Sequence, residues 1–184
     1  MNGWTLPESA VIGGRTYIIN ADYRDILDII TRISNPGQDE QTRLYVALAL
    51  FYEDFRSMPA CDYSDAAEWM YEFIGCGEED NGPPHPKTID WEQDRAMIVS
   101  DVNKVAGCDV RSLPFCHWWT FISWFNAIGD GQLAAVVSIR EKLRKGKKLE
   151  AWEKEFYRDN RGKVDFKRKY TVEDDAVLAQ WLGK

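Results

Sequence analysis

Apolar positions along this chain change period near residue 20. Ser9 to Ile12 and Arg15 to Ile19 are β-prone runs joined by Gly13-Gly14, a two-residue connection that tolerates positive φ, and they predict a hairpin. A lone hairpin is marginal in water, so it should pack on helices or join the sheet of another chain. Beyond it, apolar residues recur at helical spacing. Asn20 or Asp22 can cap a helix carrying Tyr23, Ile26, Leu27, Ile30 and Ile33, ended by Asn35-Pro36-Gly37. A second helix is expected from Gln38 to Phe55, with Leu44, Leu48, Phe51, Tyr52 and Phe55 inward. A third, Ser64 to Ile74, carries Trp69, Met70 and Phe73 and is closed by Gly75-Cys76-Gly77. Residues 75–88 read GCGEEDNGPPHPKT, a loop. Asp90, with Gln93 three positions on, resembles a capping box and predicts a fourth helix with Trp91, Ile98, Val102 and Val105 inward, stopping at Gly107.

The stretch Leu113 to Gly131, LPFCHWWTFISWFNAIGDG, is the most apolar. Pro114 suits a first turn, Gly129 and Gly131 a stop, so the pattern predicts a central helix of about five turns. Phe115, Trp118, Trp119, Ile122 and Phe125 share one arc, and Phe121, Trp124 and Ile128 widen it past half the circumference. Such an arc needs neighbours on both sides. Trp118 and Phe125, in its middle, are expected in the core. A sixth helix follows from Gln132 to Lys145 on Leu133, Val136, Val137 and Leu143. A seventh, Lys148 to Asn160, carries Trp152, Phe156 and Tyr157. After a basic tail, Thr171 with Asp174 would cap a short last helix ending near Trp181.

The fold class predicted is all-α: a single globular helical domain, 1–184, of seven to eight helices with a small N-terminal β-hairpin. It divides into the hairpin (1–20), acidic helices (21–107), aromatic and basic helices (108–160) and a tail with a short helix (161–184). A hydrophobic fraction of 45% and an aromatic fraction of 13% suit a folded chain. No apolar run reaches the roughly 18 residues that span a bilayer, and Met1 to Pro7 lacks the regions of a signal peptide, so a cytoplasmic protein without membrane partners is expected. Cys61, Cys76, Cys108 and Cys116 have no metal-type spacing and read as free thiols.

Charge is split along the chain. Residues 1–92 carry 6 Lys and Arg against 17 Asp and Glu, a balance of −11, while residues 93–184 carry 17 against 13, a balance of +4. The split could be self-complementary between copies in a homo-oligomer, or could present a basic arm to an acidic partner. Within that arm, Arg140, Lys142, Arg144, Lys145, Lys147 and Lys148 could meet nucleic-acid phosphates, but the overall acidity argues against nonspecific nucleic-acid binding. Cys116-His117 is the one pair that could suggest a nucleophile or metal, yet neighbours on a helix point about 100° apart. Gly13-Gly14 and Gly129-Asp130-Gly131 lack the context of phosphate loops. No catalytic, cofactor-binding or metal-binding residue is predicted, and the chain reads as non-enzymatic.

Several segments together resemble the bacteriophage gene product 15 family of tail-module proteins: LPESAVIGGRTYIINADYRDIL, ALALFYEDF, WMYEFIGCG and, above all, HWWTFISWFNAIGDGQLAAVVSIREKLRKGKKL. His117, Trp118, Trp119, Phe121 and Ile139-Arg140 carry most of the likeness, which covers roughly residues 5–160. The resemblance implies a phage or prophage protein similar in gene context to tail assembly chaperones, whose partner is the tape-measure protein. A structural tail or scaffold component, and a nucleic-acid-binding regulator, are the alternatives. The resemblance transfers no catalytic residue. A chaperone must cover apolar helical surface, and helix-in-groove recognition would do so. Two candidate interfaces follow: the margin of the aromatic helix, Phe121, Trp124 and Ile128 with His117 in line, and the basic stretch Arg140, Arg144, Lys147 and Lys148.

Overall fold

The computed structural model describes residues 4–78 and 87–167. Strands β1 (Ser9–Ile12) and β2 (Arg15–Ile18) form the antiparallel hairpin, paired Ser9 to Ile18 through Ile12 to Arg15. Gly13 and Gly14 both have positive φ, 55° and 78°, the backbone a two-residue turn needs to match strand twist. Ala10, Ile12 and Tyr17 face the helices, so tertiary packing supplies what the short hairpin lacks alone.

The helices are α1 (Tyr23–Ile33), α2 (Glu40–Phe51), α3 (Tyr63–Ile74), α4 (Arg95–Ala106), α5 (Trp118–Asn126), α6 (Gln132–Arg144), α7 (Ala151–Asp159) and α8 (Arg161–Val164). Helix α1 packs on α2 and α5, α2 on α3, α4 on α5 and α6, and α8 on α6. One core runs through them, from Ile26 and Ile29 through Phe51 and Phe73 to Val102, Trp118 and Ile139. The all-α class with its small N-terminal hairpin is therefore the fold observed. The helix expected after Thr171 lies outside the described residues.

Caps explain several boundaries. Of the two candidates, Asp22 caps α1 through the Arg24 N–H, while the Asn20 amide donates to the Leu50 carbonyl. Asp39 caps α2 through Thr42, so that helix begins at Glu40; it ends at Phe51, and Phe55 sits in a separate 3₁₀ turn. The Asp90 signal is half right. Its carboxylate accepts the Glu92 and Gln93 N–H groups, but around a turn, and α4 starts only at Arg95. Gln93 does not return to cap; its amide donates to the Asp165 carbonyl and accepts the Lys167 N–H.

The aromatic helix is shorter than its pattern. It covers Trp118–Asn126, not five turns from Pro114, because the preceding backbone is used elsewhere. The Tyr23 N–H donates to the Cys116 carbonyl at 2.9 Å and the Trp118 N–H to the Ala21 carbonyl at 2.7 Å. Those bonds hold 116–118 extended against 21–23. Phe115, expected on the inner arc, is consequently outside the helix and exposed. Three other residues expected inward also reach solvent: Val105, Leu143 and Trp152. The α5–α6 connection depends on close approach. Asp101 of α4 accepts the Leu133 N–H and so caps α6, and any Cβ on Gly131 would collide with that carboxylate.

Candidate functional site

His117, Trp118 and Trp119 form one polar clamp at the start of α5. The Trp118 indole N–H donates to the Ile74 carbonyl and that of Trp119 to the Phe73 carbonyl, each at 2.9 Å. Those acceptors are among the last carbonyls of α3, which have no partner further along their own helix. His117 Nδ1 accepts the Trp119 N–H, capping α5, while Nε2 lies 3.0 Å from the Pro7 carbonyl. Both contacts are satisfied only by the neutral tautomer with its proton on Nε2. The clamp ties α5 to the end of α3 and to the segment entering β1. All three residues are buried, His117 included, so His117 is not on an exposed margin. Cys116 and His117 do not act as a pair: the thiol donates to the His117 carbonyl and not to its ring, and burial, with Asp22 nearby, pushes it up to about 11.

The first candidate interface divides. Phe121 is 1% exposed and stacked on Tyr23 with ring centroids 4.5 Å apart, so it belongs to the core and not to a binding surface. The wide apolar arc has neighbours on both sides, α1 and α4. Trp124 and Ile128 are half-buried against the core. Phe125, expected to be largely buried, is also half-buried, tilted against Trp91 at 5.1 Å. Trp118 is buried as expected, stacked on Phe121 and edge-on to Trp91.

Arg140 leaves the second candidate interface altogether. Its side chain is 4% exposed and bidentate to Asp94, which is fully buried, at 2.6 and 2.9 Å. Its remaining N–H groups donate to the Thr88, Lys163 and Val164 carbonyls, and the Phe166 ring stacks over the guanidinium at 4.1 Å. All five donors are thereby used. Arg140 joins α4, α6, α8 and the 87–88 segment and has nothing left to offer a ligand. Asp94 was not legible as its partner. The available signal was that Arg140 lies seven positions after Leu133 and four after Val136, on the inner face of α6.

Of the rest of the stretch, Lys142 is half-buried and Arg144, Lys145, Lys147 and Lys148 are exposed. Lys142 donates to both Glu153 oxygens, at 2.7 and 2.8 Å, and Glu153 accepts the Glu150 N–H to complete the α7 capping box. The Lys142 ammonium holds the Glu153 carboxyl below its ordinary range. Arg144 and Lys145 both pair with Glu141. Lys147 and Lys148 are exposed and make no ion pair among the described residues. Their direction is set by the end of α6: Gly146, at φ 62°, lets the Lys147 N–H reach the Lys142 carbonyl and its own N–H the Leu143 carbonyl. A few residues earlier in the chain, Leu143 and Arg144 line a shallow cleft together with Lys87, Thr88, Arg140, Val164, Asp165 and Phe166. The exposed parts of Leu143 and Phe166 give this surface an apolar component.

Among the described residues, no group of three or more His, Cys, Asp or Glu side chains is placed to hold a metal ion, and no helix is long and apolar enough to cross a membrane. Comparison with family models, with curated proteins and with solved structures returns no match for this chain.

Proposed function

We propose that this is a non-enzymatic bacteriophage or prophage tail-module protein, a tail assembly chaperone that holds the tape-measure protein in the host cytoplasm before the tail tube polymerises. The reading rests on the resemblance carried by the HWWTF segment and its flanks. The observation that carries the binding role is the surface at the end of α6. There Leu143, Val164 and Phe166 give an apolar part to a cleft also lined by Lys87, Arg144 and Asp165, and the chain runs on from Leu143 to Lys147 and Lys148, exposed cations with no ion pair among the described residues. Such a surface suits an acidic amphipathic segment laid into the cleft. The aromatic helix supports a scaffold role instead, since Trp118, Trp119 and Phe121 spend their surface on α3 and α1.

The test is co-expression with the tape-measure protein followed by pull-down at low salt and at about 0.5 M, where the Debye length shrinks to a few Å. A Lys147→Glu/Lys148→Glu variant should lose capture at low salt, and wild-type capture should weaken at high salt. Trp124→Ala, on the half-buried margin of α5, should capture normally. Undiminished capture by the double reversal at both salt levels would remove the basic surface from the reading, and no capture by the wild type would remove the partner.

A further inference from the structure

The free edge of β1 has a pattern that matches itself. The Ile19 N–H donates to the Glu8 carbonyl, which fixes the bonded pairs of the hairpin ladder. Bonded pairs alternate along antiparallel strands, so Ala10–Tyr17 and Ile12–Arg15 are also bonded, while Ser9 and Val11 turn their N–H and C=O groups away from β2. Both residues are exposed, and their outward backbone groups have no partner among the described residues. The opposite edge is already extended: the Ile18 carbonyl accepts the Glu53 N–H and the Asn20 N–H reaches the Phe51 carbonyl. On the β2 side that leaves only Thr16 with both outward backbone groups unpaired among the described residues, so β1 is the more open edge. Usual protections are missing there, because Ser9–Ile12 holds no Lys, no Pro and no bulge.

We propose that β1 pairs antiparallel with β1 of a second copy across a two-fold axis at Ala10. In that register Ser9 of each copy faces Val11 of the other. Each such pair exchanges both of its N–H···O=C bonds, giving four bonds between the chains. The match is complete because donors and acceptors lie symmetrically about Ala10, which a two-fold contact requires. The pairing also sets Val11 and Ile18, 66% and 51% exposed, on one face of a four-stranded sheet, where each Ser9 lies between Ile18 of its own hairpin and Val11 of the other. A four-residue edge buries far less than the roughly 1,200 Å² of a standard interface, so the pair is weak and forms at high protein concentration.

The test is sedimentation of the full chain from about 10 μM to about 1 mM, a range chosen for a contact this small. The wild type should shift from monomer to dimer, equally at low and high salt, since backbone bonds rather than exposed charges hold it. Val11→Pro deletes one outward N–H without touching the hairpin's own ladder and should weaken association at least about tenfold. Thr16→Pro deletes an outward N–H on β2 and should associate as the wild type does. Amide exchange gives an arm independent of any variant's folding: protection at Ser9 and Val11 should rise at least about tenfold with concentration. A wild type monomeric throughout, a Val11→Pro protein that dimerises normally, or unchanged exchange at both amides would each overturn the pairing. None of these readouts involves the tape-measure protein, so they stand or fall apart from the chaperone reading.

Discussion

Replacing Arg140 by Met should be among the most damaging single changes in this chain. The substitution keeps an unbranched stem of similar length and removes only the guanidinium. It strands the Asp94 carboxylate, fully buried, without its cation. It also leaves the Thr88, Lys163 and Val164 carbonyls without these donors. Breaking a buried pair by deleting one partner costs about 3–5 kcal/mol, and the orphaned carbonyls place this case toward the upper end. A domain of this size holds about 5–15 kcal/mol in total, so the variant should be marginal. In urea, followed by tryptophan fluorescence, a loss of about 4 kcal/mol at a slope of about 2 kcal/mol/M moves the midpoint down by about 2 M. The companion variant is Arg140→Met with Asp94→Leu, which removes the stranded charge as well. If the damage comes from an uncompensated charge, the double variant should be more stable than Arg140→Met alone. A single variant losing under about 1 kcal/mol would refute the account. So would a double variant whose loss equals the sum of the two single losses, because the residues would then be uncoupled.

Two further outcomes follow from the same contacts. Phe121→Ala should lose about 3–5 kcal/mol through the cavity left against Tyr23 and Trp118, while Trp124→Ala, half-buried, should lose clearly less; equal losses in chemical denaturation would contradict the burial described for α5. For Asp90, burial pushes the carboxyl up, but the Gln93 N–H and the Lys87 ammonium outweigh it and hold it at about 2, below the 3.8 of the free group. A depressed folded value means stability present above pH 4 and lost between about pH 4 and 2, an amount near 2 kcal/mol. Asp90→Asn should flatten the stability profile in that window, and an unchanged acid slope would refute the assignment.

The local part of this fold was written in the sequence. Gly13-Gly14 determined the hairpin because only a positive-φ pair closes so short a turn. Asp22 was one of two legible caps for α1, since a cap is a contact within a few residues, whereas the Asp39 and Glu150–Glu153 caps, equally local, moved the starts of α2 and α7 from the expected Gln38 and Lys148 to Glu40 and Ala151. Apolar spacing picked out Met70 and Phe73 on α3, Leu133 and Val136 on α6, and Tyr23 and Ile26 on α1, but it missed the buried Ile29 and placed Leu143 inward, where the fold leaves it exposed. What tertiary structure decided was every case where a distant group competed for the same atoms. Backbone at 21–23 took the hydrogen bonds of Cys116 and Trp118, and so cut the aromatic helix short at its start. Asp94, 46 positions from Arg140, drew one cation of a basic run into the interior and left Lys147 and Lys148 outside. Residue pattern puts Arg140 in line with Leu133 and Val136 on α6 but names no partner for it. The difference among these cations is a matter of which carboxylate and which carbonyls the fold brings within about 3 Å, and periodicity along a chain contains no such distance.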